Sequence, residues 1–275
     1  MKNLSKSVYI IFFILSGYTG VWAQGDLMVF PKRMVFTDDQ RSQEFTLVNT
    51  GKDTATYNMS LLNFRMTETG QFENLNEPDS GQHFADQNLR IFPRTVTLAP
   101  RETQKVKIQV YRVSQLEEGE YRSHLSFQAV KEKTPLGEKI VEENSNEITT
   151  RITIDLGITV PVILLVDDPP ATAGLSQIVL NTDDKNALQL DFTIHRNGNK
   201  SLYGDIKLIH TNPSGRETEV GSFKGLAVYA PIPKRHFSIP LTHKEKVDYS
   251  SGKLTIIYQV HENKEELAVA ELVLK

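Results

Sequence analysis

The stretch RITIDLGITVPVILLVDD occupies residues Arg151–Asp168, just past the middle of the chain, and indicates a long β-strand. Every even-numbered position from Ile152 to Val166 is apolar, and side chains two residues apart lie on the same face of a β-strand. The odd-numbered positions are polar or small up to Thr159 and apolar after it. This pattern predicts a strand longer than the usual five or six residues, about twice that length. One face is open in its first half, and both faces are buried in its second half.

Short β-rich segments separated by turn residues fill the chain on both sides of this stretch, and helical periodicity is missing. The sequence therefore predicts an all-β protein of antiparallel sandwiches. The Asp-Asp-Pro-Pro sequence at 167–170 interrupts the pattern, because proline cannot continue a central strand. We place a domain boundary there, between residues 24–168 and 169–275. Glu44–Gly51 aligns with Asp191–Gly198, which indicates that the second domain repeats the first.

The first 23 residues have the pattern of a cleavable secretory signal peptide. Lys2 and Lys6 precede an apolar run, and Val21-Trp22-Ala23 resembles a cleavage site. The run is too short for a stable membrane span, so we expect an exported protein without stable membrane insertion. The chain has no cysteine, which excludes disulfides, thiol catalysis and a lipid anchor on cysteine.

Composition and motifs argue against several function classes. The net charge is -3, and nothing basic enough for nucleic acid stands out. Seven histidines are scattered without a zinc-binding spacing, and neither a nucleophile elbow nor a phosphate-binding glycine loop occurs. The pairs Asp167-Asp168 and Asp183-Asp184 are neighbours whose side chains would face opposite ways on a strand. We therefore expect no enzyme, no metal site and no cofactor.

Two interpretations of the long strand remain open at this point. It is either a core strand of its own sandwich or an edge strand whose alternating half adds to a partner's sheet. Two polar segments, Thr67–Asn88 and Lys131–Asn146, are predicted to be long solvated loops.

Six segments carry a resemblance to a known family. They are Arg33–Phe36, Val48–Gly51, Phe92-Pro93, Leu98–Val106, Gly119–Leu125 and Gly157–Ile163. In this order they resemble the periplasmic pilus-assembly chaperones of the chaperone–usher pathway, and the last two are most similar to its divergent, archaic branch. Strand donation by this system is a known mode of peptide recognition.

The resemblance implies two tandem immunoglobulin-like β-sandwich domains and a chaperone for pilus or fimbrial subunits. The side chains inserted into a subunit would be those of Ile152, Ile154, Leu156 and Ile158. The implied partners are pilin-type subunits and an outer-membrane usher, and self-association through the donor strand is left open. The polar segment before the strand would be its flexible lead-in.

In the family, two basic residues in the cleft between the domains bind the terminal carboxylate of the subunit. Arg33 matches the first by its Arg-x-Val-Phe context. Alignment puts Leu164 or Leu165 at the second, so carboxylate anchoring by a basic pair is in question. Two alternatives remain open: a lone arginine binds the carboxylate through two parallel hydrogen bonds, or a different lysine or arginine folds into the cleft. Arg122 receives no role beyond its own strand.

The alternative function is a two-domain immunoglobulin-like structural or adhesive protein of a secretion or surface apparatus. In that case Arg151–Asp168 is only a core strand. Exposure of the face from Ile152 to Ile158 distinguishes the two.

Overall fold

The computed structural model describes residues 27–130, 157–183, 187–242 and 247–274. In these ranges the chain forms eighteen strands and two short 3-10 segments, Asp86–Asn88 and Val113–Gln115. No helix among these residues is long and apolar enough to cross a membrane. The all-β class predicted from the sequence is confirmed.

The first nine strands are β1 Leu27–Phe30, β2 Met34–Phe36, β3 Ser42–Asn49, β4 Ala55–Leu62, β5 Phe64–Met66, β6 Phe72–Asn74, β7 Leu89–Phe92, β8 Thr95–Leu98 and β9 Thr103–Val110. The others are β10 Gly119–Ala129, β11 Gly157–Val166, β12 Ala171–Thr182, β13 Leu188–Gly198, β14 Leu202–Thr211, β15 Glu217–Val228, β16 Lys234–Pro240, β17 Gly252–Val260 and β18 Glu266–Leu274.

The first sandwich packs a four-stranded sheet, ordered β1-β3-β9-β7, against a five-stranded sheet, ordered β2-β11-β10-β4-β8. With the main strands lettered in chain order, these sheets contain the A-B-E-D and C-F-G arrangements of an immunoglobulin fold. The core lies between them, and the ring of Phe45 meets the ring of Phe127 edge-on at 5.9 Å across the two sheets. The long strand predicted around Arg151–Asp168 is the G strand, β11.

The second sandwich repeats the plan with sheets ordered β12-β13-β16 and β15-β14-β17-β18. Its separate core includes Phe192, Ile206 and Tyr258. The aligned segments Glu44–Gly51 and Asp191–Gly198 lie on β3 and β13. Each of these strands is the B strand of its sandwich and lies between two neighbouring strands of its sheet. The sequence repeat therefore corresponds to equivalent strands of two sandwiches.

The prediction of a solvated loop at Thr67–Asn88 is wrong at β6 and at three buried residues near the end of the segment, whereas much of the rest is exposed. Strands β5 and β6 form a hairpin, whose tip reaches the second sandwich. The backbone N–H of His236 donates to the carbonyl oxygen of Glu68 at 2.8 Å, and the Glu68 carboxylate lies 3.3 Å from Nζ of Lys234. Farther along, Gln82, Ala85 and Asn88 are buried. We call residues 64–74 the hairpin arm.

Candidate functional site

Strand β11 has one partner along its whole length and a second along only a part. It pairs with β10 from Gly157 to Val166, and with β2 only from Val162 to Leu164. Within the described ranges, no strand pairs with the other edge of residues 157–161. This part of β11 is therefore an open edge, and unpaired edges can accept another strand.

The two faces of β11 are used differently. Val162, Leu164 and Val166 lie in the first core, and Ile163 on the other face lies in a cluster that joins the sandwiches. The predicted change from one buried face to two is thus confirmed for the second half of the strand. Of the predicted donor residues, Ile158 is partly buried and packs against the rim of the first core. Ile152, Ile154 and Leu156 lie outside the described residues.

Arg33 lies in the cleft between the sandwiches, in the short connection between β1 and β2. Its guanidinium carbon is 4.5 Å from the ring centroid of Tyr203 and 5.7 Å from that of Tyr229, both in the second sandwich. Nη1 of Arg33 donates a long hydrogen bond of 3.5 Å to the Tyr229 hydroxyl oxygen. Within the described residues, no carboxylate lies within 4.0 Å of Arg33 as an ion-pair partner. Its positive charge is therefore available to an incoming anion.

The structure supplies no second cation at the aligned positions. Leu164 is buried in the first core, and Leu165 packs on the cluster between the sandwiches. The neighbouring strand, β10, instead brings Arg122 into register with Ile163. The Arg122 guanidinium lies 4.1 Å from the Tyr229 ring centroid, so the two arginines share one tyrosine.

Arg122 joins the two sandwiches, a role that the sequence did not reveal. It is only 3% exposed, and Nη2 donates to the carbonyl oxygens of Phe64 at 3.3 Å and Ala230 at 3.1 Å. Burial lowers the pKa of Arg122, while the negative charge of Glu120 opposes that shift. Because its side chain is enclosed, Arg122 cannot reach a ligand as Arg33 can.

Glu120 makes the companion contact. Its carboxylate accepts hydrogen bonds from the backbone N–H of Ser201 at 2.6 Å and from the Ser201 hydroxyl. Ser201 Oγ in turn accepts the N–H of Ala230 at 2.9 Å. One face of β10 is therefore polar and buried against the second sandwich. The alternation of Glu120, Arg122 and His124 with Tyr121 and Leu125 is visible in the sequence, but it does not show what the polar face packs against.

His124 is buried in an aromatic cluster. Its ring centroid lies 5.0 Å from that of Phe64 and 5.3 Å from that of Phe72, both in the hairpin arm. Burial, and then the positive charges of Arg122 and Arg33, lower the pKa of His124 to about 3. The imidazole is thus neutral at neutral pH, and it contributes packing rather than charge.

The described residues include no group of three or more histidine, aspartate or glutamate side chains that could hold a metal ion. Within the described residues, the candidate site consists of an open strand edge on one side of β11 and, in the cleft, the Arg33 guanidinium without an ion-pair partner.

No protein-family profile matches the sequence, and no curated protein sequence matches it. Solved structures similar to this chain include chaperones and a chaperone–adhesin complex. A chain of a chaperone–tip adhesin complex of CFA/I fimbriae biogenesis is 13% identical, with 91% of this chain and 99% of that chain covered and a TM-score of 0.45. The class 5 fimbriae chaperone CfaA is 14% identical, with 90% and 99% covered and a TM-score of 0.44. The CupB2 chaperone of Pseudomonas aeruginosa is 10% identical, with 90% and 100% covered and a TM-score of 0.43. Structural similarity at these low identities and TM-scores carries no argument about function. The function of this chain therefore has to be inferred from its own residues.

Proposed function

We propose that this protein is a periplasmic chaperone that binds pilus or fimbrial subunits by donating the alternating part of its G strand. The observation that carries the proposal is the open edge of β11 at residues 157–161. The sequence continues the same apolar alternation upstream of this edge, through Leu156, Ile154 and Ile152.

The energetics favour such a use of the strand. Each large aliphatic side chain that is fully buried contributes roughly 1.5–3 kcal/mol, so three of them are worth on the order of 5–9 kcal/mol. Backbone hydrogen bonds along the edge fix the register, and a slip of one residue would turn every apolar side chain to the wrong face. A subunit that lacks a strand would thus be stabilised, and the chaperone's own edge would be covered.

Arg33 would bind the terminal carboxylate of the subunit. It has the uncompensated charge that this role needs, and a guanidinium can hold a carboxylate with two parallel hydrogen bonds. Delivery of the subunit to an outer-membrane usher, export by a signal peptide at residues 1–23, and the domain division at 168/169 belong to the same proposal.

The experiment is co-purification of client protein from the periplasm. Wild type is compared with Ile154→Asp/Leu156→Asp and with a matched variant of the opposite face, Thr153→Asp/Thr159→Asp, and all three are melted thermally. We expect the first variant to lose a fibre subunit that the other two retain, with melting unchanged in all. Unfolding of the first variant alone would place these side chains in the protein's own core and contradict the proposal. Intact folding without any client in the wild type would favour the structural or adhesive alternative.

A further inference from the structure

The candidate anchor is built from both sandwiches. Arg33 comes from the first, whereas the rings on which its guanidinium lies, Tyr203 and Tyr229, come from β14 and from the residue after β15. A free arginine side chain has many rotamers, and ordering it costs conformational entropy. A side chain already packed on two rings has lost most of that freedom before a ligand arrives.

We infer that Tyr203 and Tyr229 are positioning residues that fix the Arg33 guanidinium for a terminal carboxylate, at a site where the aligned positions Leu164 and Leu165 supply no second cation. The inference rests on the proposed function of Arg33. Aromatic rings attract a guanidinium through its flat face, and this leaves the N–H groups along its edge free. A carboxylate binds through that edge. The Tyr203 ring therefore holds the cation without competing for its donors, and Nη1 makes only a long contact of 3.5 Å with the Tyr229 hydroxyl, which leaves the remaining N–H groups for the ligand.

Both tyrosines are themselves held in place by the second sandwich and the hairpin arm. Gly225 has a φ of +74°, and a β-carbon there would lie 2.9 Å from the Tyr203 hydroxyl, so this glycine lets the ring sit close to the backbone. Tyr229 is buried, with Arg122 4.1 Å from its ring centroid and the Phe72 ring 5.9 Å away. Tyr229 is therefore enclosed by packed side chains, and Tyr203 lies close to the backbone at Gly225; we call these two rings the aromatic clamp.

The clamp also leaves the charge of Arg33 uncompensated. Burial raises the pKa of Tyr203, and this outweighs the opposing effect of Arg33, so the phenol stays neutral. A neutral aromatic clamp orients the cation and keeps its full charge for the ligand, which an aspartate or glutamate in the same position would not do.

The test measures the affinity gained from the terminal carboxylate. The probe is a synthetic peptide of the last strand of the subunit captured by the wild type, made once as the free acid and once as the C-terminal amide. The full-length proteins compared are wild type, Arg33→Ala, Tyr203→Leu, Tyr229→Leu and Tyr203→Phe. Tyr111→Leu is the matched control, because Tyr111 lies under another arginine, Arg90, at 4.3 Å and outside the cleft.

In the wild type we expect the acid to bind about tenfold or more tightly than the amide, as for a hydrogen-bonded ion pair. Arg33→Ala should bring this ratio to about one. The two Tyr→Leu variants should lower it to about threefold or less while the amide binds as it does to wild type. Tyr203→Phe and Tyr111→Leu should keep the wild-type ratio, the former because phenylalanine retains the ring.

Two outcomes would overturn the inference. One is a wild-type ratio retained by both Tyr203→Leu and Tyr229→Leu. The other is an equal loss of acid and amide binding in both, which would mean that the tyrosines only support the fold. If wild type binds acid and amide equally yet still captures a subunit, the inference fails while strand donation stands. If no subunit is captured at all, strand donation itself has failed.

Discussion

Protonation of the protein should weaken its fold through one histidine, His124. The ring of His124 is only 3% exposed, and its Nδ1 is buried without a hydrogen-bond partner in the described part of the chain. Burial and the nearby arginines hold its pKa at about 3, far below the usual value of about 6.5. Between these two values the unfolded chain binds a proton that the folded protein does not, so acidification favours unfolding.

The magnitude follows from the difference between the two pKa values. At pH 7.5 neither state is protonated, and the effect on the free energy of unfolding is close to zero. At pH 5.0 the unfolded state is protonated and the folded state is not, which costs about 2 kcal/mol, at about 1.36 kcal/mol per pH unit below 6.5. The loss continues as the pH falls and levels off near the folded pKa of about 3.

The perturbation is His124→Phe, which keeps an aromatic ring beside Phe64 and Phe72 and removes the titration. Urea unfolding followed by far-ultraviolet circular dichroism gives the free energy of unfolding of both proteins at pH 7.5 and pH 5.0. We expect the wild type to lose about 2 kcal/mol more than the variant between these pH values. Asp205 does not interfere. Although burial raises its pKa, hydrogen bonds from Lys264 and His261 outweigh that effect and lower it to about 2. An equal pH dependence of the free energy of unfolding in wild type and variant would contradict this prediction. His124 would then have the same pKa in the folded and the unfolded protein.

Two further predictions concern the junction between the sandwiches. Gly70→Ala should destabilise the protein by about 0.5–1.5 kcal/mol more than Gly215→Ala, because the Arg235 guanidinium would have to move and give up its hydrogen bond to the carbonyl oxygen of Ala227. The two glycines have φ angles of +83° and +84°, but only at Gly70 would a β-carbon meet a neighbour, the Arg235 side chain. Thermal melting of both variants checks this prediction, and equal losses of stability would contradict the contact. Arg122→Met should cost about 3–5 kcal/mol, because it leaves Glu120 buried without its cation. Urea unfolding measures that loss of stability. A cost below about 1 kcal/mol would show that Arg122 does not stabilise the junction. The double variant Arg122→Met/Glu120→Gln should recover part of the lost stability.

The fold was largely predictable because it is encoded locally. Period-two alternation, turn residues and the proline pair after Asp168 are features of neighbouring residues, and they fixed the strands of both sandwiches. The odd-numbered positions of the strand become apolar after Thr159, which predicted where the second face of β11 becomes buried. That face is buried because Ile163 lies in the cluster between the sandwiches.

The hairpin arm was missed because its stabilising contacts are distant in sequence. Phe72 and Met66 are isolated apolar residues in a polar segment, and their neighbours include Tyr229, about 160 residues later. The interface role of Arg122 was missed for the same reason, since its acceptor at Ala230 lies 108 residues away. A pattern of residue types in a short window contains no information about such pairs.

The candidate site was predictable only in part. The context of Arg33 singled it out, but its two tyrosines belong to the other sandwich, and no spacing in the sequence links them to it. The substitution of leucine for the expected second cation was visible at Leu164 and Leu165, whereas the aromatic clamp beside Arg33 became visible only in the fold.

The most direct test of strand donation uses the absence of cysteine from the chain. Single cysteines are placed at Ile152, Ile154 and Leu156 and, as controls, at Thr153 and Asp155, and their alkylation rates are measured with and without the captured subunit. If the strand is donated, the three even-numbered positions react readily in the free protein and are protected by the subunit, while the odd-numbered positions remain reactive. Protection of the even-numbered positions already in the free protein, or equal protection of both sets by the subunit, would contradict it.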